Sequence, residues 1–305
     1  MDTSRAATVR PVDRAALERW LRRLAPRTDA PWLHGEVARR MAERLALVKL
    51  RPEVVIDWWS RAGASAAILR RAYPKARVLA VEPDALRTAP AAPAPWWSAR
   101  RWRAAAPALD AAALPEGGAQ LVWANMMLHA VADPAAQMAA WRRALVVDGF
   151  LMFSTLGPDT LKTLREIYRD AGWGPPHAPF VDMHDLGDML VGAGFAEPVM
   201  DQAQLTLTWA TPAALLDELR LLGSNADPAR AAGLRTPRWR ARLEAALAAR
   251  ADREGRIALE FELVFGHAFN PRPRLRVQGE TRVGVDELQR MARAGRRGRD
   301  DEGLG

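Results

Sequence analysis

Apolar positions fall on two different periods along the chain, and the changeover between them draws its elements. Over residues 14 to 50 the period is helical, with Leu17, Trp20, Leu21 and Leu24 on one face and then Val37, Met41, Leu45 and Val48 on another. Pro26 and Pro31 separate the two helices. After Pro52 the continuous apolar run Val54-Val55-Ile56 ends at Asp57, the pattern of a short strand buried on both faces. A loop over 57–63 and a short helix over 64–72 lead to a second run, Arg77-Val78-Leu79-Ala80-Val81, which ends in the acid Glu82. Further strands are predicted at 120–125 and at 150–155, the latter after an Asp148-Gly149 turn, with a helix over 134–145 between them. Strands that alternate with helices predict a doubly wound, mostly parallel α/β sheet of the Rossmann type.

Downstream the spacing predicts a helix over 158–170, a loop carrying Pro175-Pro176-His177 and a helix over 182–193 closed by Gly194. Leu205-Thr206-Leu207-Thr208-Trp209 alternates as an antiparallel strand does, a helix follows over 212–222, and 259–266 is the last strong strand. The stretch 89–108, rich in Ala and Pro and carrying Trp96, Trp97 and Trp102, reads as an irregular insertion. Beyond residue 270 the chain is rich in Arg, Gly and Asp, the composition of a disordered basic tail over 271–305.

Composition narrows the chemistry. With 305 residues and 49% apolar content the chain is long enough for one large domain with extensions. It contains no cysteine, which excludes disulfides, zinc–thiolate sites and thiol nucleophiles together. No apolar run approaches the ~20 residues a membrane span needs, and charges interrupt the N-terminus where a signal peptide has its apolar core, so a soluble cytoplasmic protein is expected. The net charge of +8 is almost all arginine, since Lys49, Lys75 and Lys162 are the lysines. Such a balance suits a solvated surface or an acidic protein partner. The arginines are scattered and form no nucleic-acid-binding module, so no nucleic acid is expected.

Particular residues carry a resemblance. Leu121-Val122-Trp123-Ala124-Asn125, then Leu128-His129, Asp133-Pro134, Trp141-Arg142-Arg143-Ala144-Leu145 and the run from Phe153 to Leu161 resemble the malonyl-acyl-carrier-protein O-methyltransferases of biotin synthesis. The likeness continues through Pro176-His177, Phe180, Ala193-Gly194-Phe195, Asp217-Glu218-Leu219-Arg220, Gly223-Ser224-Asn225 and the strand 261–266, and the stretch from His177 to Asn225 also looks like the methyltransferase-like assembly factors of respiratory complex I. It implies a class I methyltransferase domain over 1–270: N-terminal helices to residue 50, a cofactor half over 51–156, and a substrate side over 157–270 with a helical cap. It also implies S-adenosylmethionine as methyl donor and an acidic acyl carrier protein as partner.

On that resemblance Asp57, Gly63, Glu82, Asp110 and Asn125 are the cofactor-binding candidates, with Glu82 placed to grip the ribose hydroxyls. His129, His177, Arg165 and Arg220 are candidates for the substrate side, the arginines because a guanidinium can hold a carboxylate through two parallel bonds. Each has a plain structural alternative: a strand-end turn, a helix cap, a packed loop histidine or a surface arginine. No residue is singled out for acid–base catalysis, because a carboxylate acceptor is already ionised at neutral pH. No His, Asp or Glu set has metal-ligand spacing, so no metal is expected. The first strand departs from the family. Where its members have Asp-x-Gly-x-Gly-x-Gly, this chain has Asp57-Trp58-Trp59-Ser60-Arg61-Ala62-Gly63, with Trp59 and Arg61 in place of two glycines. Two functions therefore stay open: an active O-methyltransferase with an unusual loop, or an inactive methyltransferase-like binding, regulatory or assembly protein.

Overall fold

A computed structural model describes residues 9–27, 29–88 and 108–272. Two helices come first, α1 (Arg14–Leu24) and α2 (Trp32–Arg44). The alternating part follows as β1 (Val54–Trp58), α3 (Ser60–Gly63), α4 (Ala66–Ala72), β2 (Arg77–Val81), α5 (Asp84–Arg87), β3 (Ala119–Ala124), α6 (Pro134–Ala144) and β4 (Leu145–Leu156). The rest is α7 (Lys162–Asp170), α8 (Met183–Gly192), β5 (Ala196–Trp209), α9 (Pro212–Leu222), α10 (Pro237–Ala248) and β6 (Ile257–Phe269).

The six strands form one sheet in the order β2-β1-β3-β4-β6-β5. The first four are parallel, whereas β6 runs antiparallel to both β4 and β5. Successive side chains on a strand point to opposite faces, and the core divides accordingly. Val55, Leu121, Trp123 and Phe150 pack under α2, α9 and α10. Ile56, Trp58, Val122, Leu151 and Phe153 pack on the other face with α1, α6 and α8. This is the doubly wound Rossmann-like arrangement that the strand and helix alternation predicts. Because β1 lies between β2 and β3, the chain reverses its direction of winding there, and the crevice beyond the carboxyl ends of β1 and β3 is where such sheets hold ligands.

Several boundaries differ from expectation for physical reasons. The helix expected from 158 begins at Lys162, because Leu161 adopts a left-handed φ of 57° that breaks the turn before it. The strand expected at 205–209 extends back to Ala196, since its long pairing with β6 supplies the hydrogen bonds that its polar residues do not advertise. Helix α10, not anticipated, buries Leu243 and Leu247 one turn apart on an otherwise charged segment. The insertion expected at 89–108 lies outside the described residues except for its last position, as does the tail beyond Arg272. Among the described residues no helix is long and apolar enough to cross a membrane.

Candidate functional site

Strand β1 delivers Asp57 to the crevice, fully buried, with Oδ2 accepting a hydrogen bond from the Ser60 hydroxyl at 2.5 Å. Its Oδ1 has no well-formed hydrogen bond, although the Ser65 hydroxyl acts on the carboxyl and offsets part of the effect of burial. Glu82 follows β2 and is also buried; its Oε1 accepts the Arg61 backbone N–H at 2.8 Å while Oε2 has no partner. Burial pushes both carboxyls up to about 7, and for Glu82 the neighbouring Asp57 adds to the shift. Unpaired buried acceptors of this kind are costly unless something donates to them.

Between the two acids lies the rewritten loop. Trp59 adopts φ 55° and ψ 46°, the left-handed region that a glycine would occupy without strain. Its indole is buried, in one cluster with Trp20, Leu24 and Leu86. The Arg61 guanidinium donates to Leu86 O at 2.7 Å and to Ala25 O at 2.5 Å, joining the end of α1 to α5. Trp58 packs edge-on against Trp141, 6.3 Å between ring centres. Gly63 has a packing reason of its own: a Cβ there would lie 2.9 Å from Ser65 Oγ and 3.3 Å from Asn125 O.

Asn125 braces this loop from the end of β3. Its Nδ2 donates to His34 O at 2.8 Å and Gly63 O at 2.6 Å, and its Oδ1 accepts from Ser154 Oγ at 2.7 Å. All its side-chain polar atoms are thus used within the protein. Asp110 is half-buried, caps a short 3₁₀ turn by accepting from Ala112 N at 2.9 Å, and lies 3.5 Å from Arg87. The five cofactor candidates therefore separate: Asp57, Gly63, Glu82 and Asn125 cluster around the loop, and Asp110 stands at its edge.

The substrate candidates meet elsewhere. His129, His177 and Arg220 line one cavity of about 420 Å³, together with Phe180, Tyr168 and Trp239. His177 stacks on Phe180 at 4.6 Å, and its Nδ1–H donates to Ala178 O at 2.8 Å, which leaves Nε2 as a buried acceptor with no partner. Burial lowers its pKa, and lowers that of His129 to about 3, with His34 and Arg10 adding to the effect on His129. Both rings are therefore neutral at physiological pH. Arg220 is exposed and pairs with Asp217 at 3.2 Å. Arg165 is half-buried on α7, close enough to depress the His177 pKa but outside the cavity wall.

Two residues that sequence reasoning passed over shape the site. Arg10 is buried, pushed down to about 10 by burial, and ties the extended segment before α1 to the cavity wall through His129 O at 2.8 Å and through Pro179 O. His34, buried on α2, donates to Ala62 O at 2.7 Å and is held neutral by burial, near 4. Neither belongs to a local motif, so only long-range contact reveals them. Among the described residues no group of His, Asp or Glu is arranged to hold a metal ion.

The residues fit S-adenosylmethionine in their polar frame, where Asp57 Oδ1 and Glu82 Oε2 lack a well-formed hydrogen bond, but two glycines of the loop joining them are replaced by Trp59, which is buried, and Arg61, which is bonded to Ala25 O and Leu86 O. Neither of two described cavities is lined by Asp57, Gly63, Glu82, Asp110 or Asn125.

No protein-family profile matches the chain. Among curated proteins it is 40% identical over 252 residues to the malonyl-acyl-carrier-protein O-methyltransferase of Laribacter hongkongensis, covering 80% of this chain and 84% of that one. It is 36% identical over 290 residues to the enzyme of the same name from Halorhodospira halophila, covering 92% and 97%. Among solved structures the YcgJ protein of Bacillus subtilis superposes with a TM-score of 0.50 at 11% identity, covering 78% of this chain and 99% of that one, a likeness of fold.

Proposed function

We propose that this chain, which belongs to the malonyl-acyl-carrier-protein O-methyltransferase family, binds malonyl-acyl carrier protein and serves the O-methylation of the malonyl carboxylate in biotin synthesis, with S-adenosylmethionine as methyl donor. The observation that carries the substrate half is the 420 Å³ cavity, which combines apolar walls with neutral His129 and His177 and has Arg220 and Arg23 among its lining residues.

A malonyl carboxylate is ionised at neutral pH, so no base is asked of the protein. What remains is to orient the thioester, keep water out and leave the acceptor oxygen free. Leu156, Leu161 and Phe180 supply the dry wall. His177 Nε2, an acceptor held by its own Nδ1–H bond, suits an amide N–H on the arm that carries the malonyl group. Arg23 and Arg220 suit an acidic carrier surface, and the excess of arginine steers the same partner in the cytoplasm. S-adenosylmethionine, when bound, supplies an electrophilic methyl group on a sulfonium that departs neutral. Glu82 would hold its ribose hydroxyls through Oε2, with Asp57, Gly63, Asn125 and Asp110 as the surrounding frame.

Incubating the protein with malonyl-acyl carrier protein and S-adenosylmethionine tests the reading by mass spectrometry of the carrier. Conversion of the malonyl group to its methyl ester is expected. Neither ester nor complex with the malonyl carrier would sink it. A second reading rests on the loop: with Trp59 and Arg61 in place of two loop glycines, the chain acts as a carrier-binding member without transfer. A complex without ester is its signature.

A further inference from the structure

The loop between the two buried acids is also bonded to helix α1, and this gives Arg61 a role beyond bulk. Its guanidinium spans from Ala25 O, at the end of α1, to Leu86 O in α5. Its backbone N–H donates to one oxygen of Glu82, while the other oxygen stays buried with no donor. Helix α1 is a shared wall: Trp20 packs in the same cluster as Trp59, and with Leu17 and Arg23 it also lines the cavity that takes the substrate. Trp20 Nε1–H further donates to Leu221 O at 2.9 Å, fastening α1 to the end of α9.

We propose that Arg61 is a latch that holds α1 closed over the position of S-adenosylmethionine, so that the cofactor reaches Glu82 only when the bonds to Ala25 and Leu86 open. The identity of the ligand rests on the function proposed above; the latch itself rests on the geometry. Two charge-assisted bonds must break before ligand enters, and the apparent affinity falls by the fraction of molecules that are open. A malonyl carrier engaging Leu17, Trp20 and Arg23 would act on the same helix, which couples the two ligands through α1.

Calorimetric titration with S-adenosylhomocysteine, the demethylated product, tests this on the full chain. Wild type is expected to bind weakly, and Arg61→Gly at least ~10-fold more tightly, with Trp59→Gly/Arg61→Gly tighter still. Should either glycine variant fail to fold by circular dichroism, Arg61→Met keeps the stem while deleting both bonds and is again expected to bind more tightly than wild type. Equal affinity in wild type and every folded variant, whether tight or undetectable, overturns the latch. Binding of the malonyl carrier is measured separately. A chain that binds the carrier but shows no gain on losing Arg61 defeats the latch alone, and one that binds S-adenosylhomocysteine but not the carrier defeats the function alone.

Discussion

Replacing Trp59 by alanine and by glycine separates what its side chain contributes from what its backbone costs. The indole is 7% exposed and sits among Trp20, Leu24 and Leu86. Burial of an aromatic side chain removes roughly 150–250 Å² from water, worth about 4–6 kcal/mol at ~25 cal/mol per Å², and large-to-small changes of this kind cost about 3–5 kcal/mol. Against that, a non-glycine residue at φ 55° carries a left-handed backbone penalty of about 1–2 kcal/mol. Trp59→Ala loses the packing and keeps the penalty; Trp59→Gly loses the packing and relieves it. At an ordinary negative φ, glycine is the worse of the two by about 0.5–1 kcal/mol, so here the order reverses. Urea unfolding followed by circular dichroism should show both variants destabilised by several kcal/mol, with glycine above alanine by about 1 kcal/mol. A glycine variant less stable than the alanine variant refutes the left-handed backbone. Wild-type stability in either variant refutes the buried indole.

Glu82, buried and raised to about 7, contributes most when protonated: that stability is present below its unfolded pKa of 4.5 and is lost as pH rises through about 7. Glu82→Gln should therefore raise the melting temperature clearly at pH 8 and little at pH 5, and an equal shift at both pH values would show the acid is not buried. Gly63→Ala forces a Cβ to 2.9 Å from Ser65 Oγ and should cost about 1–3 kcal/mol in urea unfolding; a neutral result would mean that the loop yields freely. Asn125→Ala removes the side-chain donor to His34 O, leaves Gly63 O with the Ser65 hydroxyl alone and takes the acceptor from the Ser154 hydroxyl, and a loss of about 1–3 kcal/mol is expected from the same measurement. Arg23→Glu with Arg220→Glu should weaken the complex with a malonyl carrier at low salt, and wild-type binding should itself fall as salt rises; salt-independent binding measured by titration would remove the electrostatic contribution.

The central framework was legible because it is written in local patterns. Val54-Val55-Ile56 and Arg77 to Val81 read as buried strands and pair in parallel, and Thr211-Pro212 opens α9 where a capping hydroxyl and a first-turn proline belong. Gly194 closes α8 with φ 88°, as its place after the helix implies. The long arms of β5 were not legible, because Asp201, Gln202 and Gln204 carry no apolar signal and are held by pairing with β6. Of the candidate site, the family resemblance nominated Asp57 and Glu82 for the cofactor and His129, His177 and Arg220 for the substrate, but it could not give their distances, burial or partners. The structure places the first two at the loop and the last three in one cavity.

The sequence by itself determined the doubly wound sheet and the loss of two glycines after Asp57, since periodicity and residue type are properties of neighbouring positions. Only the tertiary structure decided what the substitutes do. Trp59 becomes core because α1 and α5 close over it, and Arg61 becomes a bridge because Ala25 O and Leu86 O, 36 and 25 residues away in the chain, come within hydrogen-bond reach. Burial and hydrogen-bond partners come from distant segments meeting in space, and that is why the same two residues read as damage in the sequence and as structure in the fold.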